Sequence, residues 1–179
     1  ARLSRIVVAM DPAASSSEGA AEHGIVVAGL DDNKHGYVLE DLSQRCTPDR
    51  AARILINAYD RWQADRVIGE VNNGGEWIGT TVRQTAKAMA LEGARKSGEV
   101  NYRAVHATRG KRTRAEPISA LDEQKRIHHV GLFAELEDQL TSWDPLVPGP
   151  SPDRLYARVW ALTDLMLGSG KGKAGVLWT

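Results

Sequence analysis

The first forty residues contain three short apolar runs separated by polar turns, and this pattern constrains the fold more than any other feature. Residues 5–10 (RIVVAM) form the first run, which ends at Asp11-Pro12 because proline cannot donate the next ladder hydrogen bond. Residues 25–30 form the second run, which is rich in β-branched side chains, and residues 36–42 form the third. Apolar runs joined by short connections predict an antiparallel three-stranded meander.

The remainder of the chain alternates between helix and strand signals. Thr47-Pro48 is typical of a helix start, with threonine as N-cap and proline at the first helical position. Further elements are predicted at residues 66–70 (strand), 77–92 (helix), 101–106 (strand), 115–126 (helix), 133–140 (short helix) and from 153 onward (helix). Three antiparallel strands followed by this alternation predict an α/β fold with a mixed five-stranded sheet and helices on both faces. The order is typical of the ribonuclease-H-like fold.

The composition limits the class of protein. With 179 residues, the chain has the size of one domain, and its 23 basic and 23 acidic side chains give zero formal net charge. Cys46 is the single cysteine, which excludes an intramolecular disulfide framework and a cysteine-rich zinc site. No apolar run approaches the roughly 20 residues of a membrane-spanning helix. We expect residues 1–168 to form the domain and residues 169–179 to form a flexible tail rich in glycine and lysine.

Three acidic residues occupy unusual positions. Asp11 ends the first strand, Glu70 ends the fourth, and Asp153 begins the last helix. Sites in open α/β sheets lie beyond the carboxyl ends of strands, so Asp11 and Glu70 would be neighbours if their strands pair. Convergent carboxylates repel one another unless a cation neutralises them, which favours a hard divalent ion. Two Mg²⁺ or Mn²⁺ ions about 3.5–4 Å apart can promote phosphodiester hydrolysis.

Each of these acids also has a purely structural interpretation. Asp11 precedes Pro12 and could only initiate a turn, whereas Asp153 could only complement a helix N-terminus. Glu70 is harder to explain in this way, because burying a carboxylate at the end of a strand is costly without a partner. Position alone therefore leaves both interpretations open.

A basic segment follows the predicted strand at residues 101–106. Five basic residues and no acidic residue occur in residues 101–114, and Arg109, Lys111, Arg112 and Arg114 lie at its end. On a strand-exit loop they would contact the phosphates of a nucleic acid, although a solvated basic loop is the simpler alternative. The chain contains neither GxxxxGK[ST] nor GxGxxG, so the sequence does not support a nucleotide-binding site.

Several segments, in the same order along the chain, together resemble the nuclease domain of the large terminase subunits of tailed bacteriophages. The resemblance covers nearly all of residues 5–166. The segments are Met10–Ala13, His23–Gly29, Glu70–Gly75, Arg109–Pro117, Leu121–Gly131, Glu135–Leu140, Ser151–Ala157 and Val159–Thr163.

This resemblance implies a ribonuclease-H-like, metal-dependent endodeoxyribonuclease that cuts concatemeric double-stranded DNA during packaging, with little sequence specificity. The acidic triad of the family corresponds to Asp11, Glu70 and Asp153, which would act as metal ligands and catalytic residues. Asp11 would bridge two Mg²⁺ or Mn²⁺ ions. One difference is Tyr156, at a position where relatives often carry a second acid.

The resemblance also implies the setting in which the domain works. The full-length protein would carry an N-terminal ATPase domain that this chain lacks, and it would assemble with a portal and a small terminase subunit. We expect the isolated domain to be a monomer in the cytoplasm of an infected bacterial host, neither secreted nor bound to a membrane.

Two alternatives remain open from the sequence. The domain could be a structure-selective nuclease, either a Holliday-junction resolvase or a ribonuclease H, because these proteins share the fold and the metal chemistry. It could instead be a catalytically silent module for DNA binding or assembly, which would have no reason to bind metal ions at the three acids.

Overall fold

The computed structural model describes residues 2–12, 22–71, 77–106, 111–144, 146–147, 149 and 151–168. The predicted tail at 169–179 lies outside these residues. None of the described helices is both long and apolar enough to cross a lipid bilayer.

Seven strands form the sheet in this part of the chain. They are β1 (Leu3–Asp11), β2 (Glu22–Asp31), β3 (Gly36–Asp41), β4 (Gln44–Arg45), β5 (Arg66–Val71), β6 (Tyr102–His106) and β7 (Ile127–His129). The sheet order is β6-β5-β1-β2-β3-β7, with β4 paired to the start of β2. The predicted meander β1–β2–β3 is antiparallel, whereas β5 runs parallel to β1, β6 to β5, and β7 to β3.

Five α-helices connect and cover these strands in the described residues. They are α1 (Pro48–Arg61), α2 (Trp77–Leu91), α3 (Lys111–Glu123), α4 (Ala134–Ser142) and α5 (Asp153–Leu162), and α5 continues into a π-helical turn at Thr163–Leu167. The predicted cap of α1 is confirmed, because the Thr47 hydroxyl accepts a hydrogen bond from the Arg50 amide at 3.4 Å.

Alternating side chains of β1 divide the core into two layers. Val8 and Met10 pack with α1 and α2 on one face of the sheet, whereas Val7 and Ala9 pack with α3 and α5 on the other. Successive side chains of a strand point to opposite faces, so a strand buried on both faces is a continuous apolar run. The central strand β1 therefore fixes the position of Asp11 between two covered faces.

The predicted fold class is confirmed, with differences in detail. The sheet has seven strands instead of five, because the short strands β4 and β7 extend it. The helix predicted at 115–126 begins earlier, at Lys111, so residues 111–114 form its first turn and not a loop. Pro117 lies inside this helix, where it removes one backbone donor without ending the helix.

Candidate active site

Asp11 and Glu70 lie side by side at one edge of the sheet. Parallel pairing of β1 with β5 places Met10 opposite Gly69, so the next residue on each strand is one of the two acids. Each acid has only 4% of its surface exposed. Two neighbouring carboxylates this deeply buried require compensating positive charge or hydrogen bonds.

The N-terminus of α5 brings Asp153 to the same edge. Gly24 on β2 pairs with Asp11, and a Cβ atom built on Gly24 would lie 1.9 Å from the Asp153 carbonyl oxygen. Only glycine permits this approach, because any side chain would push the start of α5 away from the sheet. This approach places the backbone of Asp153 over Gly24, the residue paired with Asp11. Asp153 is itself 6% exposed.

Arg154 fastens this end of α5 to its surroundings. Its guanidinium binds Asp41 at 2.7 Å, Glu22 at 2.8 Å and Glu135 at 2.6 Å, which lie on β3, β2 and α4. Charge-assisted bonds to three elements fix the residue directly after Asp153. The acid is thus held by a scaffold and not by a free loop.

Glu70 has two donors among the described residues, and both reach the same oxygen. The Trp160 indole Nε1 donates to Glu70 Oε2 at 2.6 Å, and Arg114 Nη1 donates to it at 3.2 Å. The Arg114 guanidinium also lies 5.0 Å from the centre of the Trp160 ring and 5.3 Å from that of Tyr156. Glu70 is therefore held by a cation that is itself packed between two aromatic rings.

Sequence reasoning did not identify Trp160 as a site residue. A signal for it exists, because Tyr156 and Trp160 are four residues apart on α5 and therefore share one helix face with Asp153. That spacing is also typical of ordinary core residues, so the bond to Glu70 becomes visible only in three dimensions.

Tyr156 contributes a buried phenol next to the acids. Burial raises the pKa of Tyr156; Arg114 opposes the shift, and the negative charges of Asp11 and Glu70 add to it. The phenol therefore stays neutral at physiological pH. A neutral group here lowers the number of negative charges that this edge of the sheet must accommodate.

The structure describes the four predicted phosphate-binding residues to different extents. Arg109 lies outside the described residues, and for Lys111 and Arg112 only the backbone, in the first turn of α3, is described. Arg114 is mostly buried and contacts Glu70, so the structure joins it to the acidic site. Phosphate binding by these four residues stays a prediction.

The donor set at this edge fits a hard divalent cation by its chemistry, because all three side chains offer carboxylate oxygens. Their backbone positions converge, yet among the described residues no group of three or more His, Cys, Asp or Glu side chains is arranged to hold a metal ion. One of the three acids, Glu70, already binds an arginine. Metal binding by the three acids therefore stays a prediction.

Comparisons with known proteins agree with this architecture. The sequence matches the family described as the terminase RNaseH-like domain over residues 8–165. No curated protein matches the sequence significantly.

Solved structures with a similar fold include three nucleases. The large terminase nuclease of the thermophilic phage G20c, with bound zinc, has a TM-score of 0.60 and 14% identity over 90% of this chain and 84% of its own. The human cytomegalovirus terminase nuclease domain has a TM-score of 0.58 and 13% identity, covering 90% and 83%. The yeast mitochondrial Holliday junction resolvase Ydc2 has a TM-score of 0.55 and 11% identity, covering 94% and 82%.

Proposed function

Because the chain belongs to the terminase RNaseH-like domain family, we propose that it is a metal-dependent nuclease that cleaves concatemeric double-stranded DNA during viral genome packaging. The observation that carries this proposal is the position of Asp11, Glu70 and Asp153. The three acids are buried, they come from β1, β5 and α5, and their backbone positions converge at one edge of the sheet. Convergence of three acids is costly without a cation, which a catalytically silent DNA-binding module would not require.

In this proposal the three carboxylates hold two Mg²⁺ or Mn²⁺ ions, with Asp11 between the other two acids. When bound, such ions supply the Lewis acidity that phosphodiester hydrolysis requires. Support for a divalent ion comes from the related phage G20c nuclease, which has bound zinc. The chain's own contribution is rigid placement, since Arg154 and Gly24 fix the start of α5 and Trp160 fixes Glu70.

The basic residues around the start of α3 would position the DNA. In the sequence, Arg109, Lys111 and Arg112 follow β6, the strand that borders the site strand β5. Contacts to phosphates carry little base information, so cleavage would have little sequence specificity and would weaken steeply with salt. In the full-length protein, an ATPase domain, a portal and a small terminase subunit would deliver the DNA, in the cytoplasm of an infected bacterium.

A plasmid digestion with Mg²⁺ or Mn²⁺, with and without EDTA, tests this proposal. We expect cleavage that EDTA abolishes and that Asp11→Ala eliminates, with the variant folded by circular dichroism. Asp32→Asn is the matched control, since Asp32 is an exposed acid in the turn between β2 and β3. Cleavage by Asp11→Ala at the normal rate, or cleavage that persists in EDTA, would contradict the assigned site.

The substrate class needs a separate comparison, because a Holliday junction resolvase shares the fold. Linear duplex, a four-way junction and an RNA–DNA hybrid are digested in parallel at equal concentration. We expect the duplex to be cut at least as fast as the other two. A strong preference for the junction would favour the resolvase alternative, and a preference for the hybrid would favour a ribonuclease H.

A further inference from the structure

Arg114 contacts Glu70, one of the three acids proposed to bind a divalent cation. Its Nη1 lies 3.2 Å from Glu70 Oε2, and the two side chains are 12% and 6% exposed. Without a bound ion, this guanidinium supplies positive charge to a buried carboxylate that has another acid, Asp11, on the neighbouring strand. A buried carboxylate needs such a partner, so the contact stabilises the metal-free state.

The contact is longer than two other buried ion pairs of this protein. Arg154 and Asp41 approach to 2.7 Å, and Arg5 and Asp164 to 2.8 Å, compared with 3.2 Å for Arg114 and Glu70. The Arg114 Nε atom, like that of Arg5, is buried and has no hydrogen-bond partner among the described residues. Besides Glu70, the Arg114 guanidinium contacts two aromatic faces, which help to hold it in place.

Trp160 holds Glu70 independently of Arg114. Its Nε1 lies 2.6 Å from Oε2, and the indole has no charge, so an arriving cation would not repel it. The guanidinium, in contrast, would face a divalent ion at the same carboxylate, and like charges at short distance in a buried site repel strongly. A bound cation would therefore repel one donor to Glu70, the guanidinium of Arg114, and not the other, the indole of Trp160.

We propose that Arg114 and a divalent metal ion compete for Glu70, so that metal binding displaces Arg114 while Trp160 keeps the carboxylate in place. This inference rests on the proposed function, because it assumes that the ion binds at the three acids. Arg114 and Trp160 are positioning residues in this scheme. The displaced guanidinium, in the first turns of α3, becomes available for a DNA phosphate.

Isothermal titration calorimetry with Mn²⁺ alone, without DNA, tests the competition. We expect Arg114→Met, which keeps length and packing but removes the charge, to bind Mn²⁺ about tenfold more tightly than the wild type, a common size for coupling between two binding events. Arg114→Lys restores a cation and should return the affinity toward the wild-type value. Unchanged or weaker binding by Arg114→Met would overturn the proposal, because a merely supporting arginine would give that result.

Two controls separate the possible failures. Arg158→Met removes another buried arginine of this region, paired with Asp122 at 2.5 Å, and should leave Mn²⁺ affinity unchanged. Asp11→Asn should lose Mn²⁺ binding. If Asp11→Asn binds normally, the proposed function itself fails; if it loses binding and Arg114→Met gains none, only the competition fails.

A spectroscopic measurement gives a second readout. Displacement of the cation from the Trp160 ring should change tryptophan emission when the wild type is titrated with Mg²⁺, and Trp160→Phe should lose that change. Should Arg114→Met not fold, Arg114→Gln replaces it in the calorimetry with the same expectation. A wild-type emission that stays constant at saturating Mg²⁺ counts against displacement.

Discussion

Glu70 and Asp164 are two buried carboxylates with opposite surroundings. Asp164, in the π-helical turn, binds Arg5 at 2.8 Å, Arg103 at 2.7 Å and Arg66 at 3.4 Å, so both of its oxygens have arginine partners. Glu70 binds one arginine at 3.2 Å and one indole, both on the same oxygen, and it neighbours Asp11. Asp164 therefore has three arginine partners, whereas Glu70 has one among the described residues.

This difference distinguishes a carboxylate with a structural role, Asp164, from one that could bind a metal ion, Glu70. Three guanidiniums around Asp164 leave no need for a further cation, and they join β1, β5 and β6 to the end of the last helix. Glu70 has one arginine partner among the described residues and Asp11 on the neighbouring strand, so it is the better candidate for binding an additional cation. Burial alone therefore does not identify a functional acid, and the partners of the carboxylate have to be considered as well.

Glu70→Gln should have the largest effect on activity. The amide keeps the shape and can still accept from Trp160, but it loses the negative charge that a divalent ion requires. Because such an ion is worth several kcal/mol in the transition state, we expect cleavage to fall by about a thousandfold or more. Plasmid digestion measures the rate per folded molecule. The amide loses the ion pair with Arg114 but relieves repulsion with Asp11, so thermal unfolding should change less than for Asp164→Asn. Activity within tenfold of the wild type would contradict the role of Glu70.

Asp164→Asn should show the reverse pattern. Removing one partner from a buried ion cluster leaves uncompensated charge, here on three arginines, and typically costs about 3–5 kcal/mol. Urea denaturation should detect this loss, while the cleavage rate per folded molecule should stay within a few-fold of the wild type. If Asp164→Asn is as stable as the wild type, Asp164 does not have the structural role that distinguishes it from Glu70.

Trp160→Phe should have an intermediate effect on the acidic site. It keeps an aromatic ring beside Arg114 and removes the N–H that binds Glu70, and a hydrogen bond to a charged group contributes about 1.5–3 kcal/mol. We expect cleavage to fall by about tenfold or more at saturating Mg²⁺. Trp143→Phe is the matched control, because the Trp143 ring packs on Tyr156 but makes no bond to Glu70. Equal rates for the two variants would argue against positioning by the indole.

Glu135→Gln should have the smallest effect. Asp164 binds three arginines, whereas the single arginine Arg154 binds three carboxylates. Of these, the Glu135 side chain is 74% exposed and the Asp41 side chain is 5% exposed. An exposed ion pair contributes at most about 1 kcal/mol, so stability should fall by less than that amount. Asp41→Asn should cost several times more in the same urea denaturation. A larger loss for Glu135→Gln than for Asp41→Asn would reverse this ranking.

The fold class could be predicted from the sequence because the signals for individual strands and helices are local. The apolar run of β1 ends at Asp11-Pro12, and the cap at Thr47 starts α1, as expected. Strand β7 was missed because it has three residues, two of them histidine, and forms only by pairing with β3. Its apolar signal is too short to distinguish it from a turn.

The candidate site was predictable only in part. Strand ends and a helix start identified the positions of Asp11, Glu70 and Asp153, because those positions follow from local patterns. The bond from Trp160 to Glu70 joins residues ninety positions apart, and no local pattern contains it. Arg114 was expected to contact DNA because its neighbours are basic, and that pattern contains no signal for its contacts with Glu70 and two aromatic rings.

The close approach of Gly24 to Asp153 has a consequence for the order of folding. The two residues come from the beginning and the end of the domain, as do Arg5 and Asp164, which are 159 positions apart. Contacts of such long range form late and slowly, since the intervening loop must close first. During synthesis on the ribosome, Asp11 and Glu70 would therefore be made well before α5 emerges and completes the site. A chain truncated before residue 153 would lack both a site and the packing that completes its sheet.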